Sequence, residues 1–247
     1  MPRIMTYNVH SCRGTDGKLD VSRIATVIGR SRPDIVALQE LDVGRPRTGK
    51  VDQAHAIAER LGMTFHFNAA LRVEEETYGD AILTTLPMRL VRTGPLPTLP
   101  NVRGLESRGA LWVEVEVDGR PVQIINTHLG LVPAEQRAQV EALLGPDWLG
   151  HPCCVDPVIL LGDFNATPRY QAYQRLGRRL RDGRRAAGVR GGALTFPSRL
   201  PMLRIDHIFV SDGIAISDVH APDGEVVRKA SDHLPLVGDF ALEPFPI

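Results

Sequence analysis

Polar side chains with hard donor atoms interrupt the apolar runs of this chain mostly where those runs end: Asn8, Glu40, Asn126 with His128, Asp163 with Asn165, and Asp232 with His233. Carboxylates and carboxamides without cysteine suit Mg²⁺ or Mn²⁺, and a hexacoordinate ion held by one or two carboxylates keeps places for waters and a phosphate oxygen. Glu40 is the best primary ligand of this set. Asp163 has the chemistry to take a proton from an attacking water, and histidines steadied by a carboxylate can donate to charge developing on phosphorus. The set fits metal-assisted phosphoester hydrolysis. Other chemistries lack their signatures, since the chain has no Gly-x-Ser-x-Gly elbow, H-E-x-x-H, Walker A or G-x-G-x-x-G motif.

The stretch Val158 to Pro168 shows how such residues are placed. Four consecutive aliphatic residues read as a strand buried on both faces, Gly162 breaks the run, and Asp163 and Asn165, separated by one residue, can point the same way. Thr167 and Pro168 then predict a helix starting at about Pro168, which puts the carboxylate at a strand-to-helix junction. Asp206 lies within the apolar segment Arg204 to Phe209, where a carboxylate is costly unless paired. His233 and His207 are its candidate partners, with a structural pair to Arg204 as the alternative. Ser231 to Pro235 reads as a loop.

The elements that must carry these groups alternate short apolar runs with helical periodicity. Strands are expected at Arg3 to Asn8, Asp34 to Gln39 (ending at Glu40), Thr64 to Phe67, Gly79 to Thr84, Ile205 to Val210, Ile214 to Val219 and Leu236 to Phe240. Leu111 to Val117 and Val122 to His128 form a hairpin turning at Asp118-Gly119. Helices are expected after the cap Asp20, around Ala54 to Leu61 with Gly62 as left-handed cap, and from Pro133 to Leu144, before Gly145. Hairpins mixed with crossovers predict mixed sheets packed face to face with helices outside.

Composition bounds the rest. A chain of 247 residues, 43% apolar, suits one large domain over residues 1–247, and no repeat or linker divides it. Its 29 basic and 29 acidic residues argue against a surface that is all polyanion clamp. Three cysteines without a C-x-x-C pair indicate neither a disulfide framework nor a zinc knuckle. With no leader and no long apolar run, a soluble, cytoplasmic protein without a transmembrane segment is expected.

The motifs, taken together and in order, resemble those of the endonuclease/exonuclease/phosphatase superfamily. They are Thr6-Tyr7-Asn8-Val9-His10, Leu38-Gln39-Glu40, Tyr78-Gly79-Asp80-Ala81-Ile82-Leu83, Glu106-Ser107-Arg108-Gly109, Asn126-Thr127-His128-Leu129, Leu161-Gly162-Asp163-Phe164-Asn165, Arg204-Ile205-Asp206-His207 and Ser231-Asp232-His233-Leu234-Pro235. The resemblance implies a DNase I-like fold, a four-layer αββα sandwich of two mixed β-sheets flanked by helices. It implies that Glu40, with Asn8 and Asp232 near, binds Mg²⁺ or Mn²⁺, and that Asp163 orients or deprotonates the water. Asn165 and His128 would contact the phosphoryl group, and His233, paired with Asp206, would be the donor or acid. Arg108 looks like a phosphate contact, and Asn126 and Tyr78 join it as substrate-binding positions. One departure is Asp80, where related chains often carry Asn, which touches the local charge balance.

The resemblance leaves the substrate open, because the same site serves DNA, RNA, inositol phosphates, sphingolipid headgroups and small phosphodiesters. A phosphodiester substrate is expected, with nucleic acid ahead of phospholipid, inositol-phosphate and small-molecule esters; a catalytically inactive binding module is the alternative from another class. The run Arg175 to Arg190 holds Arg175, Arg178, Arg179, Arg181, Arg184, Arg185 and Arg190 against the single acid Asp182. It reads either as a solvated face or as a set of contacts to phosphates flanking the scissile one.

Overall fold

The computed structural model describes residues 1–73, 76–99, 102, 104–189 and 193–244. The first half of the chain builds β1 (Arg3–Asn8), α1 (Val21–Ser31), β2 (Ile35–Val43), α2 (Gln53–Leu61), β3 (Thr64–Val73), β4 (Glu76–Thr84) and β5 (Met88–Pro95). The second half adds β6 (Gly109–Val117), β7 (Arg120–His128), α3 (Pro133–Leu144), β8 (Val158–Asp163), α4 (Gln171–Leu176), β9 (Arg181–Asp182), α5 (Gly183–Ala186), β10 (Asp206–Val210), β11 (Ile214–His220), α6 (Glu225–Ala230) and β12 (Leu236–Leu242). Among these residues the strands form two six-stranded sheets, ordered β11-β12-β1-β2-β4-β3 and β5-β6-β7-β8-β10-β9. Both are mixed, since β1–β2 and β7–β8 run parallel and the other pairs antiparallel.

Side-chain alternation along the strands creates the layers. Ile4, Ile35, Ala37, Ile124, Ile159, Leu161 and Ile208 point between the sheets into one core. Their neighbours Met5, Val36 and Leu38 point outward under α1 and α2, where Ile24, Ile28 and Ile57 cover them. On the other side Ile125, Leu160 and Phe209 pack under Val140 and Leu143 of α3 and Ala172 and Leu176 of α4. The result is a four-layer αββα sandwich, and the aliphatic run of β8 is buried on both faces because it serves two of the three cores. No helix among the described residues is long and apolar enough to cross a membrane.

Local chemistry sets several boundaries. Asp20 caps α1 by accepting the Arg23 N–H at 2.9 Å, and Gly62 ends α2 at φ 65°. The helix expected from Pro168 begins only at Gln171, because the Tyr170 N–H bonds the Thr167 carbonyl in a turn that intervenes. β5 was not expected. It is an edge strand whose apolar residues alternate irregularly with Arg89 and Arg92 and are half exposed, so it lacks the two-faced burial pattern of its neighbours. β9, α5 and α6 are likewise too short to leave a periodic signal.

The expected substrate contact Asn126 lies elsewhere, at the seam between the sheets. It is fully buried. Its amide donates to the Leu38 and Ala81 carbonyls at 2.9 Å each, and its oxygen accepts from Gln39, which also bonds Thr6. These bonds tie β7 of one sheet to β1, β2 and β4 of the other just below the site. Replacing Asn126 by Ala leaves buried groups unpaired, which costs on the order of 1–3 kcal/mol. Urea denaturation of Asn126→Ala should show that loss, with the KM of the folded enzyme unchanged; a raised KM at unaltered stability would restore the substrate-contact assignment.

Candidate active site

Three strand ends of one sheet lie in a row. His128 on β7 pairs in register with Asp163 on β8, and Asp163 pairs with Asp206, the first residue of β10. Asp206 therefore heads its strand and is not embedded within it. The backbones at this row approach closely: Gly162 takes φ 150°, and a Cβ there would fall 1.9 Å from the Thr127 carbonyl oxygen, so only glycine fits. Asn165 follows at φ 47°, and its backbone N–H bonds the Asp163 carboxylate at 2.9 Å.

Two buried carboxylates opposite each other on adjacent strands repel. The Ser231–Pro235 loop relieves this by inserting His233, whose Nδ1 lies 2.9 Å from Asp206 Oδ2 and whose Nε2 lies 3.6 Å from Asp163 Oδ2. His233, not His207, is therefore the partner of Asp206; His207 turns away, 2.7 Å from the Ala166 carbonyl. Nor does Arg204 pair with Asp206, since its guanidinium bonds Asp182 and the Tyr173 hydroxyl at 3.2 Å each. These donor atoms of Asp163, Asp206 and His233 all fall within 4.8 Å of one another, a buried set of ligand type. With Nδ1 already bonded to Asp206, His233 turns Nε2 toward Asp163 at ion-pair distance.

The environment separates the proton affinities. Burial alone would lower the His233 pKa, but Asp206 and Asp163 outweigh it and hold the imidazolium up to about 10. Burial and the Asp206 charge raise Asp163 to about 7, against the opposing pull of His233 and Asn8. His128 goes the other way: burial, with Arg108 and His233 adding to it, keeps the ring neutral. Arg108 Nη1 lies 3.0 Å from His128 Nδ1, and His128 Nε2 lies 3.5 Å from Asp163 Oδ2. Asn165 closes this side, its amide 3.2 Å from His128 Nε2 and donating to the Leu129 carbonyl at 3.0 Å.

The second sheet brings Asn8 and Glu40. The Asn8 amide nitrogen donates at 2.9 Å both to Glu40 Oε1 and to Asp163 Oδ2, while its oxygen accepts the His10 N–H. Asn8 thus presents its nitrogen and clamps the two carboxylates together. Glu40 was expected to end its strand, but β2 runs on to Val43. A slip in the β2–β4 register between Leu38 and Leu41 forms a bulge there, with Glu40 at φ 63°, and aims its carboxylate into the site. Beside it opens a polar cleft of about 200 Å³ lined by His10, Ser11, Arg13, Arg47, Tyr78 and Glu106. Asp232 reaches this edge, with Oδ1 3.7 Å from His10 Nδ1.

The remaining expected residues divide. Tyr78 lines the cleft, its ring 5.6 Å from the Arg47 guanidinium. Arg108 is buried and bonded to His128 and Glu106, so it reaches the site through the histidine. Asp80 is buried, and burial, assisted by Glu40 and Asp163 against Arg108, raises it to about 8; at neutral pH it is mostly a neutral acid. Sequence reasoning missed His10, Ser11 and Arg47. Arg47 grips the buried Asp42 through Nε at 2.7 Å and Nη2 at 2.8 Å. It comes from the single 3₁₀ turn Pro46–Thr48, too short to leave a period.

The Arg175–Arg190 run is spent mostly on structure. Arg175 pairs with Glu141, Arg179 with Asp156, Arg181 bonds the Ser211 and Ile214 carbonyls, and Arg184 bonds Val219. Arg185 lies over the Tyr173 ring, and Arg190 falls outside the described residues.

Known proteins place this architecture. Residues 5–233 match the model of the endonuclease/exonuclease/phosphatase family. The chain is 26% identical over 254 residues to the protein named "Uncharacterized protein YbhP" of Escherichia coli strain K12, covering 97% of this chain and 96% of that one. An endonuclease/exonuclease/phosphatase structure from Beutenbergia cavernae is 25% identical, with a TM-score of 0.76 over 98% of this chain and 71% of its own. The fold also matches a mannosyl-6-phosphatase from Bacteroides thetaiotaomicron, at a TM-score of 0.78 and 20% identity over 98% and 100% of the two chains. The sheets, the helical layers and the family match agree: this chain belongs to the endonuclease/exonuclease/phosphatase family, whose members are phosphoesterase hydrolases with a DNase I-like fold.

Proposed function

We propose that the protein is a Mg²⁺- or Mn²⁺-dependent phosphodiesterase, with residues 1–247 as its catalytic domain, acting in the cytoplasm. The observation that carries this reading is the row of His128, Asp163 and Asp206 with His233 inserted at 2.9 Å from Asp206. Asp163, near neutrality in its proton affinity, suits a base that must both take and lose a proton at working pH. His233, held as imidazolium, donates to the phosphoryl oxygens or the leaving group as charge builds on them. Asp206 keeps that ring oriented and charged. His128 and Asn165 supply further neutral polar groups on the opposite side, with Arg108 against the far nitrogen of the histidine.

The donor chemistry beside this row fits a hard divalent cation. Glu40 and Asp232 offer carboxylate oxygens at the rim, Cys12 is buried away in the α1–β2 core, and the cleft has polar walls. Glu40 leads that set, Asp232 lies near it, and Asn8 holds Glu40 in place. When bound, such an ion polarises a phosphoryl oxygen and offsets its charge.

EDTA should abolish hydrolysis of bis-p-nitrophenyl phosphate, Mg²⁺ or Mn²⁺ should restore it, and Glu40→Ala should raise the metal concentration needed for half activity. Undiminished turnover in excess chelator would exclude the metal-dependent reading. Asp163→Asn keeps the shape and removes the proton acceptor, so kcat should fall on the order of 10²-fold or more. Near-normal turnover in that variant would move the base elsewhere.

The pH profile follows from the two shifts. Activity needs Asp163 deprotonated and His233 protonated, giving an acid limb at or below about 7 and an alkaline limb near 10. The raised His233 pKa also stabilises the fold below the ordinary imidazole range, a contribution lost as pH climbs toward about 10. Asp206→Asn removes the charge supporting the imidazolium, so the alkaline limb should shift to lower pH. A lower rate with an unmoved alkaline limb would reduce Asp206 to a packing role.

A further inference from the structure

A groove of about 450 Å³ runs between α3 and α4, walled by Arg137, Gln174, Arg175 and Arg178. A second hollow of about 320 Å³ continues it past Arg169 and Tyr170, the two sharing Arg137, Gln171 and Ala172. Gln136 lines the near end, and its side-chain amide donates at 2.9 Å to the carbonyl of Asn165, whose own side chain meets His128. The trough thus begins on the chain segment that forms the wall of the active site.

Its arginines differ from the others nearby. Arg175 and Arg179 each hold a carboxylate, whereas Arg137, Arg169 and Arg178 are exposed and, among the described residues, their guanidinium groups make no hydrogen bond or ion pair. The only acid lining the trough, Glu141, is neutralised by Arg175 at 2.8 Å. Three uncompensated guanidinium groups therefore line one path, with the Tyr170 ring, 43% exposed, beside them. α4, Gln171–Leu176, rises roughly 9 Å, with Tyr170 before its first residue and Arg178 beyond its end. That accommodates about three stacked nucleotides at 3.4 Å each.

We propose that this trough binds a single strand of nucleic acid leading away from the scissile phosphodiester, with Arg137, Arg169 and Arg178 on its phosphates and Tyr170 stacked on a base. The proposal rests on the phosphodiesterase reading and names its substrate as a polymer. A flat lipid surface does not enter a recess between two helices, and an acidic peptide has no planar group to match Tyr170. A duplex is too wide for the gap between neighbouring helices, so the strand is single.

The test is fluorescence anisotropy of a labelled single-stranded oligonucleotide in EDTA, which measures binding without cleavage, beside turnover of bis-p-nitrophenyl phosphate in Mg²⁺. Three phosphate contacts on a single strand give a log-log salt slope of about −2 from these arginines. The triple variant Arg137→Ser, Arg169→Ser, Arg178→Ser should flatten the slope by about that amount while changing small-diester turnover less than about twofold. Tyr170→Ala should weaken oligonucleotide binding roughly fivefold or more, the loss of one stacked base. An unchanged salt slope in the triple variant overturns the proposal, as does an equal loss of affinity for poly-glutamate or phosphatidylserine vesicles. Turnover of the small diester by a parent that binds no oligonucleotide overturns the trough and leaves the diesterase reading standing. Binding lost in the triple variant, from a parent that hydrolyses no phosphoester, supports the trough and removes the diesterase reading.

Discussion

The structure depends on one electrostatic conflict and its resolution: Asp163 and Asp206 face each other on adjacent strands, both buried, with His233 between them. Neither carboxylate is tolerable there alone. The imidazolium that compensates them is delivered by a loop far away in sequence, and that loop is itself anchored. The Ser231 hydroxyl donates to the Asn8 carbonyl at 2.8 Å, while the Leu234 N–H bonds the Thr195 carbonyl. Charge balance at the site therefore requires the sandwich to be closed.

Closure depends on the seam. Asn126, Gln39 and Thr6 cross between the sheets with their polar groups fully used, and Asn8 repeats the arrangement at the rim by joining Glu40 of one sheet to Asp163 of the other. Buried polar bridges of this kind add little net stability when satisfied and cost much when broken. Their effect is geometric. They fix how the two sheets meet, and so the separation between the Glu40 carboxylate and the Asp163–His233 ion pair.

Much of this was legible in the sequence because it follows local rules. The double-sided burial of Val158–Leu161, the Asp118-Gly119 hairpin, the Asp20 cap and the Gly62 stop are short-range effects, and each is found where composition and spacing put it. The pairing of Asp206 with a histidine was legible as a cost that needed a partner, but the choice of His233 over the adjacent His207 belongs to the tertiary packing. Glu40 was expected at a strand end and lies on a bulge, a feature set by the register of two strands and invisible in one. Asn126 shows the same limit in reverse: a polar residue at a strand end reads as a site residue, and only the opposing sheet reveals it as a pin. The arginine run was legible as charge. Which arginines are free depended on acids such as Glu141 and Asp156 that lie in other elements.

The central claim is that His233 is an imidazolium at neutral pH because two buried carboxylates surround it. Its ring nitrogens can be observed directly by ¹⁵N NMR of selectively labelled protein across a pH series. Both nitrogens of His233 should carry protons at pH 7, with deprotonation approaching only near pH 10. A ring that titrates in the ordinary imidazole range and is neutral at pH 7.5, about one unit above it, would contradict the account.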